Sequence, residues 1–86
     1  MMQYVYVLYI DYASRGDRDT YIKVFSDLEK ARQDLRKYIE ADQDWADSLC
    51  NKGENIDLES DWYEVYEDDD YIAEHSLAYI EKKQVL

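Results

Sequence analysis

The side chains of this 86-residue chain that are most able to do chemistry are carboxylates, and they are concentrated in its middle. Between Glu40 and Glu74 there are fourteen acidic residues and a single basic one, Lys52. The flanking segments are mixed in sign, and the whole chain has a formal net charge of −11. Because such a block repels phosphate groups, the charge argues against binding to nucleic acid or to anionic membranes and favours a positively charged partner.

The other reactive side chains do not form a catalytic or metal-binding motif. Cys50 and His75 are each the only residue of their type, whereas a structural zinc site needs about four ligands. Three aspartates between positions 42 and 47 suggest a calcium loop, but the EF-hand spacing fails at Ala46 and Gly53. Paired carboxylates act as acid and base only in a cleft that separates their pKa values, and so small a chain rarely forms a deep one. The sequence therefore predicts no enzyme activity, no bound metal and no cofactor.

The composition favours one folded domain that spans residues 1–86. Aromatic residues make up 15% of the chain and there is no proline, whereas disordered acidic chains are poor in aromatics. A single cysteine cannot form an internal disulfide, which suits a reducing compartment. The first residues lack the features of a signal peptide, and the longest apolar run, residues 4–10, is too short to span a bilayer. We therefore expect a soluble cytoplasmic protein.

The first half of the chain predicts a β-hairpin followed by a helix. Residues 4–12 and 20–25 are rich in β-branched and aromatic residues, as strands are. The polar stretch between them predicts a loop of about seven residues. Ser26 begins a capping-box pattern, so we expect it to cap a helix over residues 27–50. Asp42 falls where the helical spacing requires an apolar residue, which predicts a kink or a restart near it.

The second half predicts another hairpin. Residues 54–60 have the composition of a loop, residues 62–67 that of a strand, and the three aspartates at 68–70 that of a turn. Residues 71–86 fit either a strand or a helix, and the turn before them favours the strand. The predicted fold class is α+β, in the order β-β-α-β-β, with a four-stranded antiparallel sheet and one helical layer.

Acidic and aromatic residues of the middle block form the predicted partner-binding surface. On a helix, Glu40, Asp44 and Asp47 would form one stripe with about 6 Å of rise per step, and on a strand, residues two apart repeat at about 7 Å. Both spacings are close to that of phosphates along a nucleic-acid backbone, and tyrosine and tryptophan are common interface anchors. The predicted set is Glu40, Asp44, Asp47, Asp61, Glu64, Tyr66, Glu67, Asp68, Asp69, Asp70, Tyr71 and Glu74.

In its size, acidity and tyrosine content, the chain resembles phage-encoded DNA mimics and anti-CRISPR or anti-restriction inhibitors. The resemblance rests on residues 40–74 and on composition rather than on a shared motif. It implies a small non-catalytic inhibitor that occupies the positively charged nucleic-acid-binding groove of a partner, such as a host defence nuclease. The alternative is an intracellular interaction module or homodimer, in which residues 62–67 or 71–86 pair with another chain while the acids provide solubility and protect sheet edges.

Overall fold

A single antiparallel sheet with one helix packed on it makes up the computed structural model, which describes residues 3–68 and 74–85. The strands follow the spatial order β2-β1-β5-β4-β3. In chain order the elements are β1 (Gln3–Ser14), β2 (Asp17–Phe25), α1 (Leu28–Asp47), β3 (Lys52–Asp57), a short 3₁₀ turn (Leu58–Ser60), β4 (Trp62–Glu67) and β5 (His75–Val85).

The predicted four-stranded sheet is wrong, because the segment predicted as a loop contains a fifth strand. The edge strand β3 pairs with β4 along its whole length. Its sequence is polar, and it is exposed at every position except Gly53, so it lacks the hydrophobic alternation that identifies a half-buried strand. Backbone pairing to β4 therefore holds β3 in place. The class α+β is confirmed, and the order is β-β-α-β-β-β.

The first hairpin is tighter than the sequence predicts. β1 extends to Ser14 and β2 begins at Asp17, so that only Arg15 and Gly16 form the turn. Both turn residues have positive φ, 53° and 87°, as a two-residue type I′ turn requires. The acidic residues after the turn consequently belong to strand β2 and not to a loop.

The predicted C-terminal strand is confirmed, and it lies inside the sheet. β5 pairs with β1 on one side and with β4 on the other. β4 in turn lies between β5 and β3. β4 is therefore enclosed on both sides, and so is β5 over His75–Tyr79, whereas residues 81–85 of β5 pair only with β1. The outermost strands of the described sheet are β2 and β3. The predicted turn residues Asp69 and Asp70 lie outside the described residues.

The hydrophobic core lies between α1 and one face of the sheet. We name the opposite face of the sheet the open face. β1, β4, β5 and α1 all contribute, and Tyr63 is the largest fully buried side chain among the described residues. The buried cluster consists of Leu8, Ile10, Leu35, Ala46, Tyr63, Val65 and Ala78.

The N-terminal cap of α1 is Asp27 and not Ser26, so the predicted capping residue is wrong. Oδ1 of Asp27 accepts a hydrogen bond from the backbone N–H of Glu29 at 2.9 Å, and the helix begins at the next residue, Leu28. The helix is continuous from Leu28 to Asp47 and does not restart at Asp42. It ends three residues before the predicted end at residue 50.

The cap can be tested by a matched pair of substitutions at adjacent positions. We expect Asp27→Ala to lower the free energy of unfolding by about 0.5–2 kcal/mol, because the N–H of Glu29 loses its acceptor. Ser26→Ala is the control and should leave the free energy nearly unchanged. Urea denaturation of both variants measures the difference, and an equal or larger loss for Ser26→Ala would contradict the assignment.

Candidate acidic binding cleft

The structure distributes the predicted partner-binding residues over several surfaces. The stripe on α1 is exposed at all three positions, as predicted for one face of a helix. The alternation along β4, in which Tyr63 and Val65 face the core, places its even-numbered residues on the open face. Three residues of the set, Asp69, Asp70 and Tyr71, lie outside the described residues. The others are Glu40, Asp44 and Asp47 on α1, Asp61 between the 3₁₀ turn and β4, Glu64 and Tyr66 on the open face, and Glu67, Asp68 and Glu74 at the β4–β5 end of the sheet.

Basic residues pair with some of these carboxylates. Arg32 of α1 donates from Nε and Nη2 to the two carboxylate oxygens of Asp61, at 2.8 and 3.2 Å, a two-point geometry that is stronger than a single contact. The hydrogen bond to Asp61 raises the pKa of the Arg32 guanidinium. Nζ of Lys52 lies 3.7 Å from Oδ1 of Asp47 and 3.9 Å from Oε2 of Glu54. Asp61 therefore attaches the start of β4 to the helix, which gives it a structural role within the chain.

Glu67 and Glu74 come together with two carboxylates that lie outside the acidic block. A cleft of about 590 Å³ at the end of the sheet is lined by both glutamates and by Asp17 and Asp19 of β2. Arg15, in the β1–β2 turn, is the only basic residue among the described residues that line it. We name this concavity the loop-end cleft. It gathers acids from three separate parts of the chain.

Aromatic side chains supply apolar surface inside the loop-end cleft. Tyr12 of β1 and Trp45 of α1 both line it, and their rings meet edge to face with centroids 5.2 Å apart. Leu49, just beyond the helix, adds to this surface. A lysine or arginine side chain combines an apolar stem with a charged head, so it matches aromatic rings surrounded by carboxylates. The cleft is chemically suited to a basic side chain of a partner.

Hydrogen bonds hold two of the four carboxylates in place. Glu74 accepts the Ser14 hydroxyl at Oε2 and the backbone N–H of Arg15 at Oε1, both at 3.0 Å. Oε1 of Glu67 accepts the backbone N–H of Asn51 at 3.4 Å. The backbone N–H of Glu67 donates to the carbonyl of Glu74 at 2.9 Å. These contacts connect the β1–β2 turn, the start of β3 and the β4–β5 connection around one cleft.

A buried hydrogen-bond network attaches the C-terminal half of α1 to the sheet. Asp42 is only 6% exposed and accepts the hydroxyl of Tyr63 at 2.7 Å, while the hydroxyls of Tyr38 and Ser76 hydrogen-bond to each other. Burial raises the pKa of Asp42, and hydrogen bonds from Tyr63 and Ser76 offset part of that rise. Burial also raises the pKa of both tyrosines, so they remain hydrogen-bond donors. The network fixes how α1 lies on the sheet and thereby places its last turn at the cleft.

Only part of this site could be predicted from the sequence. Asp17 and Asp19 were missed because they lie in a segment of mixed charge, although their spacing of two puts both on the same face of a strand. The two aspartates reach Glu67 and Glu74 because β1 pairs with β5, which brings the β1–β2 turn to the start of β5. That pairing joins residues more than sixty positions apart, so no local sequence pattern indicates it.

Comparison of the chain with protein-family models, with curated proteins and with solved structures found no match in any of the three. Within the described residues, no helix is both long and apolar enough to cross a membrane. The same residues contain no group of three or more histidine, cysteine, aspartate or glutamate side chains placed to hold a metal ion. The site must therefore be interpreted from its own geometry and charge.

The buried position of Asp42 predicts a specific dependence of stability on pH. Because the pKa of Asp42 is raised on folding, the folded state binds its proton more tightly than the unfolded chain. Stability therefore increases as the pH falls from about 7 toward the ordinary aspartate value, and this gain is lost as the pH rises again. Asp42→Asn removes the titrating group while keeping an acceptor for Tyr63. We expect the parent to gain stability relative to Asp42→Asn when the pH is lowered from about 7 to about 4.5.

Urea denaturation at several pH values measures this difference, with Asp44→Asn as the exposed, charge-matched control. Asp11 has the opposite effect, since a hydrogen bond from Arg18 lowers its pKa, but it is present in every variant and cancels in the comparison. Parallel stability curves for the parent and Asp42→Asn would contradict the prediction.

Proposed function

We propose that this protein is a small non-catalytic binding protein that engages the positively charged nucleic-acid-binding groove of a partner protein, as a DNA mimic does. The contact surface in this proposal is the loop-end cleft with the adjoining face of α1. The observation that carries it is the convergence of Asp17, Asp19, Glu67 and Glu74 on one concave surface. A solubilising coat of charge needs no such convergence, whereas recognition of basic side chains does.

The exposed face of α1 extends the acidic surface away from the cleft. Ser48, which follows the helix, lines the cleft. Asp44 and Glu40 precede it at intervals of four residues, so all three lie on one side of the helix, and both acids are exposed. A row of carboxylates leading into an acidic cleft can meet a row of lysine and arginine side chains in a groove. This continuity supports a groove as the partner surface rather than a single basic residue.

Long-range electrostatics favours the same kind of partner. A net charge of −11 on 86 residues attracts a basic groove and accelerates its encounter with the protein. Hydrogen bonds already hold the carboxylates of Glu67 and Glu74 in place, so these side chains lose little conformational entropy on binding. Exposed charge pairs are screened by salt, so the affinity should fall steeply as ionic strength rises.

Competition with DNA tests the proposal directly. Purified nucleases and other DNA-binding proteins with lysine- and arginine-lined grooves are each loaded with a fluorescent duplex, and the protein is added at low salt. For its partner we expect a fall in fluorescence anisotropy as the duplex is displaced. The double variant Glu67→Gln/Glu74→Gln should need about tenfold more protein for the same displacement, since two charge-assisted contacts are lost.

The control is Glu59→Gln/Glu81→Gln, which makes the same change of net charge at exposed positions outside the cleft. It should displace the duplex nearly as well as the parent. Equal weakening by both double variants would mean that only the total charge matters, and failure to displace DNA from any protein of the panel would count against groove binding.

A further inference from the structure

The two edges of the sheet differ in how well they are protected against pairing with another strand. Edge strands are commonly kept apart by short length and by charge. β3 follows this pattern, with six residues that include a lysine, a glutamate and an aspartate. β2 is nine residues long, and all of it except Phe25 is exposed. Tyr21, Ile22 and Val24 are 54%, 61% and 64% exposed. A long strand that exposes three large apolar side chains at an open edge needs an explanation.

The tight β1–β2 turn determines which backbone groups of β2 point away from β1. In a two-residue hairpin the residues that flank the turn, Ser14 and Asp17, form a hydrogen-bonded pair. Bonded and non-bonded pairs alternate along an antiparallel ladder. The N–H and C=O groups of the even-numbered residues from Arg18 to Val24 therefore point outward from the sheet. Each of these four residues directs one N–H and one C=O outward, so the row can form backbone hydrogen bonds with another strand.

We propose that β2 pairs antiparallel with β2 of a second copy of this chain, which joins two five-stranded sheets into one. In the register that overlaps all nine residues, Asp17 lies opposite Phe25 of the second copy. The same register places Asp19 opposite Lys23 of the second copy, and Tyr21 opposite itself. The outward-pointing residues then meet one another, so the pair forms about eight backbone hydrogen bonds across the edge.

Charge complementarity favours a second copy as the occupant of this edge. β2 contains two aspartates, one arginine and one lysine, so it is neutral in a chain whose net charge is −11. In the full-overlap register each Asp19 faces one Lys23 of the other copy, so this pair occurs twice by symmetry, and no like charges lie directly opposite. Lys23 is 56% exposed although its Nζ lies 2.9 Å from Asp34, so it remains accessible to another carboxylate. At the β2 edge, two copies therefore approach with less local repulsion than they would at the acidic block.

The inference shares Asp19 with the loop-end cleft but rests on a different observation, the exposed edge of β2, and salt separates it from the proposed function. Two copies repel each other through their remaining charge, so added salt should strengthen the pairing of copies. Salt weakens binding of the cleft to a basic groove. The variant Glu67→Gln/Glu74→Gln changes the cleft without touching β2, and it should assemble like the parent.

Mass measured by sedimentation equilibrium over a range of concentrations tests the dimer. We expect a monomer–dimer equilibrium that shifts toward dimer in about 0.5 M NaCl, where the screening length is only a few ångströms. Lys23→Glu places like charges opposite each other twice, so it should raise the dimer dissociation constant by about tenfold or more. Asp19→Lys should do the same, and the double variant Asp19→Lys/Lys23→Glu should return to within about threefold of the parent.

The control for net charge is Lys30→Glu, on the exposed surface of α1, and circular dichroism confirms that each variant is folded. Rescue by the double swap requires contact between copies, because Asp19 and Lys23 are four residues apart on one strand and do not reach each other within a chain. A protein that stays monomeric at every concentration and salt overturns the inference. So does a dimer whose dissociation constant is the same in Lys23→Glu and Lys30→Glu.

Discussion

The hydrogen bond between Tyr63 and Asp42 decides how the only helix of the described residues lies on the sheet. Apolar contacts alone are non-directional, and the buried cluster includes the small side chains of Ala46 and Ala78, which do little to fix the position of the helix. A buried carboxylate is costly unless it is hydrogen-bonded, so only positions of α1 that bring Asp42 to its donors are stable. The position of the helix on the core is therefore determined by a polar residue. The position of the cleft follows from it, because Trp45 is one turn further along the same helix.

The open face of the sheet is stabilised differently, by aromatic rings that contact one another. Tyr79 is stacked between Tyr9 and Trp62, with ring centroids 5.0 and 4.9 Å apart. Because these rings present their faces to each other, they are not arranged as a platform on which bases could stack. The acidic end of the molecule is therefore the more distinctive feature.

Elements with strong local patterns could be predicted from the sequence, and elements defined by their neighbours could not. β1, β2, β4 and β5 are rich in β-branched and aromatic residues, and α1 has a clear apolar face. β3 has neither pattern, since at an exposed edge only its backbone is needed. The sequence pattern predicted that Asp42 interrupts the helix, because hydrophobic periodicity assigns every polar residue to the exposed face. In the structure Asp42 is buried, and the hydroxyl of Tyr63 donates a hydrogen bond to it. The cleft was half predicted: Glu67 and Glu74 belong to the acidic block, but Asp17 and Asp19 join them only through the β1–β5 pairing.

The distribution of charge gives different surfaces of one small domain different properties. Carboxylates that pair within the chain, such as Asp61 with Arg32, stabilise the fold and are no longer available to a partner. Those around the loop-end cleft have a single basic neighbour in the lining, Arg15, whose backbone rather than guanidinium contacts Glu74. The charges of β2 itself cancel, so two copies that meet at this edge add little local repulsion to that of their net charges. One small acidic domain therefore combines a cleft in which carboxylates converge with an adjoining edge strand whose own charges cancel.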